Sequence, residues 1–273
     1  MFNFKKTYTI KFIASDLAEG LPQPYPSYKH FPEWFVKSNT RSKCPFAPLM
    51  KLRSLNPKAS LDTSKSPYTI TKVTTVKHCP GIVDYLKTGY ILPAWSDMIL
   101  RQINGEMVYE SAVSTPEMHY GLHRSNQYEG MSHDQRPEMG MFHKVSSPWY
   151  IKTDPGVSVL ITDPYWERNK NFTSVSAIVH PDVTPIHLKW FFELNKPIKD
   201  TAEIYDENLQ IVKKDTPLML IIPFRREKFD YSCEYLDFQQ MSKLHKENLY
   251  GSITWFSESL YEKFRRTLGN LYK

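Results

Sequence analysis

The stretch that decides the fold runs from residue 146 to 162, "SSPWYIKTDPGVSVLIT". Two apolar, β-favouring runs flank Asp154-Pro155-Gly156, and Trp149 sits directly behind a proline. Pro155 and Gly156 suit the central positions of a type II turn. Proline presets the first φ, and glycine alone takes the second, positive φ at little cost. The expectation is a rigid hairpin, with Trp149, Ile151, Val157 and Val159 supplying core from alternate positions.

Working outward, the same grammar recurs. Residues 7–14 ("TYTIKFIA") and 68–76 ("YTITKVTTV") alternate as strands do. Asn104-Gly105, between two β-type runs in 91–113, is the strongest hairpin signal, because both central positions of a type I′ turn need φ > 0. Pro93 marks an edge or bulge early in the first of those runs. Further β-type runs occupy 172–180, 186–194 and 203–212. "KKDTPLMLIIPFRRE" (213–227) then leads from a charged turn into a strand apolar on both faces, the pattern of a central strand. Helix is expected at 79–90, opened by Pro80 and closed by Gly89, and more weakly at 234–247. From 252 to 273, Ile253, Phe256, Leu260, Phe264, Leu268 and Leu271 recur at three- and four-residue steps, one helical stripe.

These elements predict a mainly β protein: an antiparallel β-sandwich, jelly-roll-like, with an N-terminal Pro/aromatic arm and a C-terminal amphipathic helix. The arm is "LPQPYPSYKHFPEWFVK" (21–37). Residues 1–66 read as a strand, the arm and a loop packed on the core, 67–231 as the sandwich, and 232–273 as a helical appendage.

Composition agrees. At 41% hydrophobic and 23% charged, the 273-residue chain is too apolar for disorder, and 14% aromatic content suits pleated, half-buried surfaces. Twenty prolines against ten glycines suggest ordered surface connections rather than flexible linkers. No apolar run approaches the roughly 18 residues of a membrane helix, and the alternating start lacks a signal peptide's continuous core. Three widely spaced cysteines, Cys44, Cys79 and Cys233, fit a reducing compartment, so the expected location is cytoplasmic. Residues 1–101 carry 15 Lys/Arg against 6 Asp/Glu, and residues 102–211 carry 9 against 15. The two stretches either complement each other or offer the basic third to an anionic partner, nucleic acid included. "PFRREKFDY" (223–231) and "KFRR" (263–266) interleave bases with aromatics, as single-strand binders do, but acidic neighbours dilute both.

Three segments together resemble an uncharacterised β-rich family of tailed-phage (cyanophage-type) and bacterial proteins. They are "PEWFVK" (32–37), "KHCPGIVDYLKTGYILPAWSDM" (77–98), and a stretch that runs from "SSPWYIKTDPGVSVL" (146–160) to "TPLMLIIPFRRE" (216–227). The likeness spans the arm through Glu227 and excludes the helical tail. Asp215-Thr216-Pro217 stands where the family has a Gly-Thr-Pro, and His180-Pro181-Asp182 where an Asp-Thr-Asp type of sequence is usual. The resemblance implies a β-rich fold and a phage setting (host cytoplasm or the virion) and brings no activity with it. A looser likeness to the trimeric dUTPase and dCTP deaminase type of fold lacks their nucleotide motifs.

Two places draw attention as chemistry. His119, His123, His133 and His143 fall within 25 residues, among Glu117, Glu129, Asp134 and Glu138. Neutral imidazoles and carboxylates suit a divalent metal, non-haem iron or similar, in a β-barrel enzyme. The competing reading is a solvated loop or lid. His180, Asp182 and His187 echo the two-His-one-carboxylate pattern, against which Pro181 suggests a strand-end turn. Cys79 beside His78 reads as a packed thiol. Trp34, Trp95 and Trp149 are the candidate binding aromatics, with Trp149 favoured as core. No phosphate loop or nucleophile elbow occurs. The function expected is therefore a non-enzymatic binding or structural module that docks onto a protein partner, or a second copy, through arm and helix. The alternative is the metal enzyme, and under that reading alone is a cofactor, a divalent metal, required. No membrane association is expected.

Overall fold

A computed structural model describes residues 7–38, 41–42, 73–132, 141–201 and 209–252. The turn at 154–157 is type II, as expected: the Asp154 carbonyl accepts the Val157 N–H at 3.1 Å, and Gly156 has φ of 82°. The strands on either side are β9 (Met141–Thr153) and β10 (Val157–Thr162), and they join different sheets. The expected hairpin is a corner. Tight hairpins favour type I′ or II′ turns, whose twist matches paired strands, whereas a type II turn splays them.

The first sheet is built on β9. Its C-terminal half pairs with β1 (Ile10–Ile13) and its N-terminal half with β8 (Tyr120–Arg124), both antiparallel. Beyond β9 lie β13 (Ile186–Leu194) and β11 (Phe172–Ser174). The strand β8 lies inside the stretch whose bland reading was a solvated loop. The second sheet orders β12 (Ala177–Val179), β10, β16 (Pro217–Arg225), β5 (Tyr90–Pro93) and β2 (Tyr25–Pro26). As its two-faced apolar pattern predicts, β16 is central, with Leu218 to Ile221 all buried. Pro93 ends β5 opposite Pro217, and the register shift there places the extra residue, Leu218, on β16 rather than on the strand where the proline suggested a bulge. A third sheet centres on β6 (Met98–Ile103). The strand β7 (Glu106–Ser111) returns antiparallel through Asn104 (φ 49°) and Gly105 (φ 79°), the expected type I′ hairpin. On the other edge lie β15 (Leu209–Val212) and a short parallel β14 (Asp200–Thr201). A separate ladder joins β3 (Arg41–Ser42) and β4 (Val73–Thr74). The described sheets are open, and none closes into a barrel.

One hydrophobic cluster unites the three main sheets, through Ile151 and Trp190 of the first, Val159 and Met219 of the second, and Met98 and Leu100 of the third. This is a sandwich-like β architecture. Trp190 and Phe192, two residues apart on one face of β13, stack with centroids 3.6 Å apart. The Trp190 indole N–H donates to Ser174 Oγ at 3.0 Å, and that hydroxyl donates to the Leu218 carbonyl at 2.5 Å. A single serine thereby ties β11 of the first sheet to β16 of the second.

The helices are α1 (Glu33–Lys37), α2 (Pro80–Lys87) and α3 (Phe238–Ser252). None of those described is long and apolar enough to cross a membrane. Almost all of the 252–273 stripe lies outside the described residues. The chain falls into two compact units, Met1–Arg226 and Glu227–Lys273; the sheets belong to the first and α3 to the second.

At Gly89, just past α2, φ is 77° and an added Cβ would sit 2.3 Å from the Ile221 carbonyl oxygen. The expected outcome for Gly89→Ala is a loss of about 1–3 kcal/mol, read as a lower urea midpoint with an unchanged slope. Parent-like stability would contradict this packing of α2 on β16.

Candidate functional site

The expected metal residues do not converge. In the β8–β9 ladder, His143 stands opposite Leu122 and His123 opposite Phe142. Directly opposed residues share a face and successive residues alternate, so His123 and His143 point to opposite sides of the sheet. His143 is fully buried, stacked on Phe192 at 5.1 Å, with Nδ1 2.9 Å from the Tyr120 hydroxyl. Burial pushes its pKa down to about 4, so it is neutral. His123 lies edge-on to Phe191 at 5.0 Å. His119 is exposed, and its carbonyl accepts the Ser146 N–H. His133 lies outside the described residues. Among the described residues no three His, Cys, Asp or Glu side chains gather as a metal would need.

The second trio is also divided. His187 stacks on Tyr150 at 4.4 Å, with Nε2 2.5 Å from the Ser147 carbonyl. His180 and Asp182 instead join Arg226 at the sheet corner. Arg226 grips Asp182 with both terminal nitrogens, Nη1 to Oδ1 at 2.8 Å and Nη2 to Oδ2. Nη1 also donates to Ser158 Oγ at 3.0 Å, and that oxygen lies 2.7 Å from His180 Nδ1. Asp182 Oδ2 accepts the Gly156 N–H at 2.9 Å, and the Arg226 N–H donates to the Gly156 carbonyl at 3.0 Å. The Asp182 side chain is 5% exposed, and Arg226 holds its pKa down to about 2. With its lone pairs occupied in this way, Asp182 braces the corner.

Two of the three candidate tryptophans are core: Trp95 is 1% and Trp149 8% exposed. Cys79 is exposed at the N-terminal boundary of α2 rather than packed. Helix entry at Pro80 leaves the residue before it outside the buried face. Of the basic–aromatic segments, Arg225 lies over the Tyr8 ring at 5.2 Å and Arg226 is held by Asp182, while 263–266 lies outside the described residues.

The third tryptophan, Trp34, belongs to a built site. The arm enters through β2, paired to β5, and Ser27, 3% exposed, donates its hydroxyl to the Thr88 carbonyl at 2.9 Å. His30 Nε2 then meets Glu167 Oε1 at 2.9 Å, and the Trp34 indole N–H donates to the Trp166 carbonyl at 2.7 Å. Both partners lie in the connection between β10 and β11. The Tyr85 hydroxyl donates to the Asp163 carbonyl and accepts the Tyr165 N–H, tying α2 to the same connection.

Between these elements is a cleft of about 20 Å³ lined by His30, Tyr85, Leu86, Ile91, Trp166 and Glu167. It has room for about one water molecule, against about 300–1,000 Å³ for pockets that hold small ligands. The hydrogen bond from Glu167 raises the His30 pKa, and burial with the nearby Glu167 charge pushes the Tyr25 phenol up to about 12. The arrangement holds a His–carboxylate clasp and a neutral phenol. The nearby hydroxyl, Ser27, is committed to the backbone.

Outside the cleft the rings form a continuous surface. Tyr165 contacts Trp166 at 5.2 Å, Trp166 contacts Trp34 at 5.7 Å, Trp34 contacts Phe35 at 5.7 Å, and Phe35 contacts Phe31 at 5.5 Å. Arg168 lies over Tyr165 at one end, and Lys77 lies over Phe35, next to the other end. Sequence reading singled out Trp34 but not His30, Trp166 or Glu167. The 137 residues between His30 and Glu167 leave no local spacing to detect.

The clasp has a pH signature. The folded pKa of His30 is raised, so its contribution is complete below the ordinary value near 6.5 and is lost as pH rises through the folded pKa. The parent is expected to lose stability over that interval relative to Glu167→Gln. Identical pH–stability curves for the two proteins, followed by tryptophan fluorescence in urea, would rule the clasp out.

No protein-family model matches the chain, and none of the curated proteins matches it.

Proposed function

We propose that this chain is a non-enzymatic binding module, a jelly-roll-like sandwich of phage type acting in host cytoplasm or on the virion. It holds a protein partner against the aromatic face of its arm, with the 252–273 helical stripe as a second docking element. The observation carrying this reading is the five-ring surface from Tyr165 to Phe31. Tyr165 is 51%, Val36 61% and Tyr28 56% exposed on elements that hydrogen bonds fix in place. Rigid aromatic rings are the usual anchors of protein interfaces, because they bury large areas while ordering few rotatable bonds. Arg168 over the first ring of the row and Lys77 over the fourth favour a partner segment with apolar anchors flanked by acidic side chains.

Site-specific photo-crosslinking in producing cells tests this. A photoreactive phenylalanine at Tyr28 or Tyr165 is expected to give one discrete protein adduct that Trp34→Ala abolishes. The same probe at Lys11 serves as control. Equal adducts from Lys11, or none from the arm, would defeat the proposal.

The metal-enzyme reading keeps one observation, the buried His143 Nε2, which has no hydrogen-bond partner. Metal analysis of untagged protein decides it: that reading requires stoichiometric metal, lost in His143→Ala.

A further inference from the structure

After Arg226 the sequence changes character. Residues 228–235, "KFDYSCEY", alternate strictly between polar and apolar. Lys228, Asp230, Ser232 and Glu234 fall on one parity, and Phe229, Tyr231, Cys233 and Tyr235 on the other. This is the period of a half-buried β-strand. The chain runs here without helix or ladder pairing, and the Tyr231 hydroxyl lies 2.8 Å from Cys233 Sγ, as i and i+2 side chains on one face of an extended chain do. Yet the apolar row is bare. Phe229 is 86%, Tyr231 87% and Tyr235 100% exposed. In α3, Phe238, Met241 and Leu244 follow at three-residue steps and are 88%, 48% and 49% exposed. Among the described residues no strand lies beside this pattern, and the apolar stripe of α3 that follows it is exposed.

The sequence of the segment is self-complementary. Laid antiparallel on its own copy about Tyr231, the segment sets Lys228 opposite Glu234 on both sides of the two-fold axis. Phe229 then faces Cys233, Tyr231 faces Tyr231, and Asp230 faces Ser232. Tyr235 falls opposite Glu227, just outside the self-paired span 228–234; within that span every apolar side chain falls on one face, and both outer charges meet their opposites. A register centred on Ser232 instead sets Asp230 against Glu234, and a shift by one residue puts Phe229 against Glu234. Opposite charges across a ladder stabilise it and like charges destabilise it, so one register is selected. The self-complementary pattern is that of an isologous, two-fold interface.

We propose that residues 228–234 form an antiparallel β-ribbon with the same segment of a second copy, making the protein a two-fold dimer. The apolar faces of ribbon and α3 are covered in that assembly. This dimer contact is separate from the arm surface and does not depend on a partner binding there.

Light scattering of the full chain is expected to give a dimer. Lys228→Glu should raise the dimer dissociation constant about tenfold, because two ion pairs become two like-charge contacts. Adding Glu234→Lys to the same chain should restore it. With Cys44, Cys79 and Cys233 replaced by Ser, Tyr231→Cys is expected to form an intermolecular disulfide on mild oxidation, its opposed Cα atoms lying about 4.5–5.5 Å apart. Ser232→Cys should do so poorly. A monomeric parent, a dimer indifferent to the charge exchange, or preferential crosslinking through Ser232→Cys would overturn the proposal. Each of these results leaves the arm-surface reading intact, since the crosslinks from Tyr28 and Tyr165 test that independently.

Discussion

The rest of the structure depends on the corner at Asp154-Pro155-Gly156. A two-residue turn of the primed type would have folded β10 back onto β9 and made one broad sheet. The type II turn turns β10 out of that sheet and starts a second. Its polar groups are then matched from three other segments. Thr9 exchanges hydrogen bonds with Asp154, the Asp182 carboxylate takes the Gly156 N–H, and Arg226 donates its main-chain N–H to the Gly156 carbonyl. Within the turn itself, the Thr153 hydroxyl reaches the Val157 carbonyl at 2.7 Å. Because β1, β12 and β16 all deliver residues to this point or next to it, the corner fixes their registers together. The Ser174 hydroxyl, between the Trp190 indole and the Leu218 carbonyl, is a second, fully buried tie between the same two sheets.

That constraint explains where the reactive residue types went. A carboxylate gripped by both nitrogens of an arginine and by a backbone N–H has little capacity left for a metal or a proton shuttle. Asp182 is such a carboxylate, and its depressed pKa reflects Arg226 rather than catalytic tuning. Strongly shifted groups are candidates for function only until their partners are known. His143 makes the same point from the other side. It is neutral because the core desolvates it, and it stacks on Phe192 as another aromatic ring would.

Features governed by neighbouring residues were legible in the sequence. Asn104-Gly105 demanded its turn, Pro80 and Gly89 bracketed α2, and the doubly apolar run at 218–221 placed β16 centrally. Each is set by φ preference or side-chain period, which a short window contains. The same window identified the turn at Pro155-Gly156 correctly but not its consequence, because whether flanking strands pair depends on what else each can pair with. The strand β8 was obscured by the composition of its surroundings: Gly121 and two histidines dilute the pattern, and the strand holds by its ladder to β9. Long-range pairs such as His30–Glu167 and Asp182–Arg226 had no local trace. Trp34 was visible as a conspicuous ring, and the ring row it joins was not, since Trp166 arrives from a different part of the chain.

The two aromatic surfaces differ in a way that bears on their roles. Along the arm, every exposed ring sits on backbone already tied by hydrogen bonds, so ordering cost is small before any partner arrives. Between Lys228 and Tyr235 the rings alternate on backbone without ladder partners, where the ordering cost is still to be met. In the proposed ribbon, Lys228 and Glu234 at the two ends of the polar row would limit pairing to a matching sequence, which an open aromatic edge alone would not do. On the two proposals made for these surfaces, polar chemistry would serve to hold shape and aromatic rings, in two different physical states, to meet other molecules.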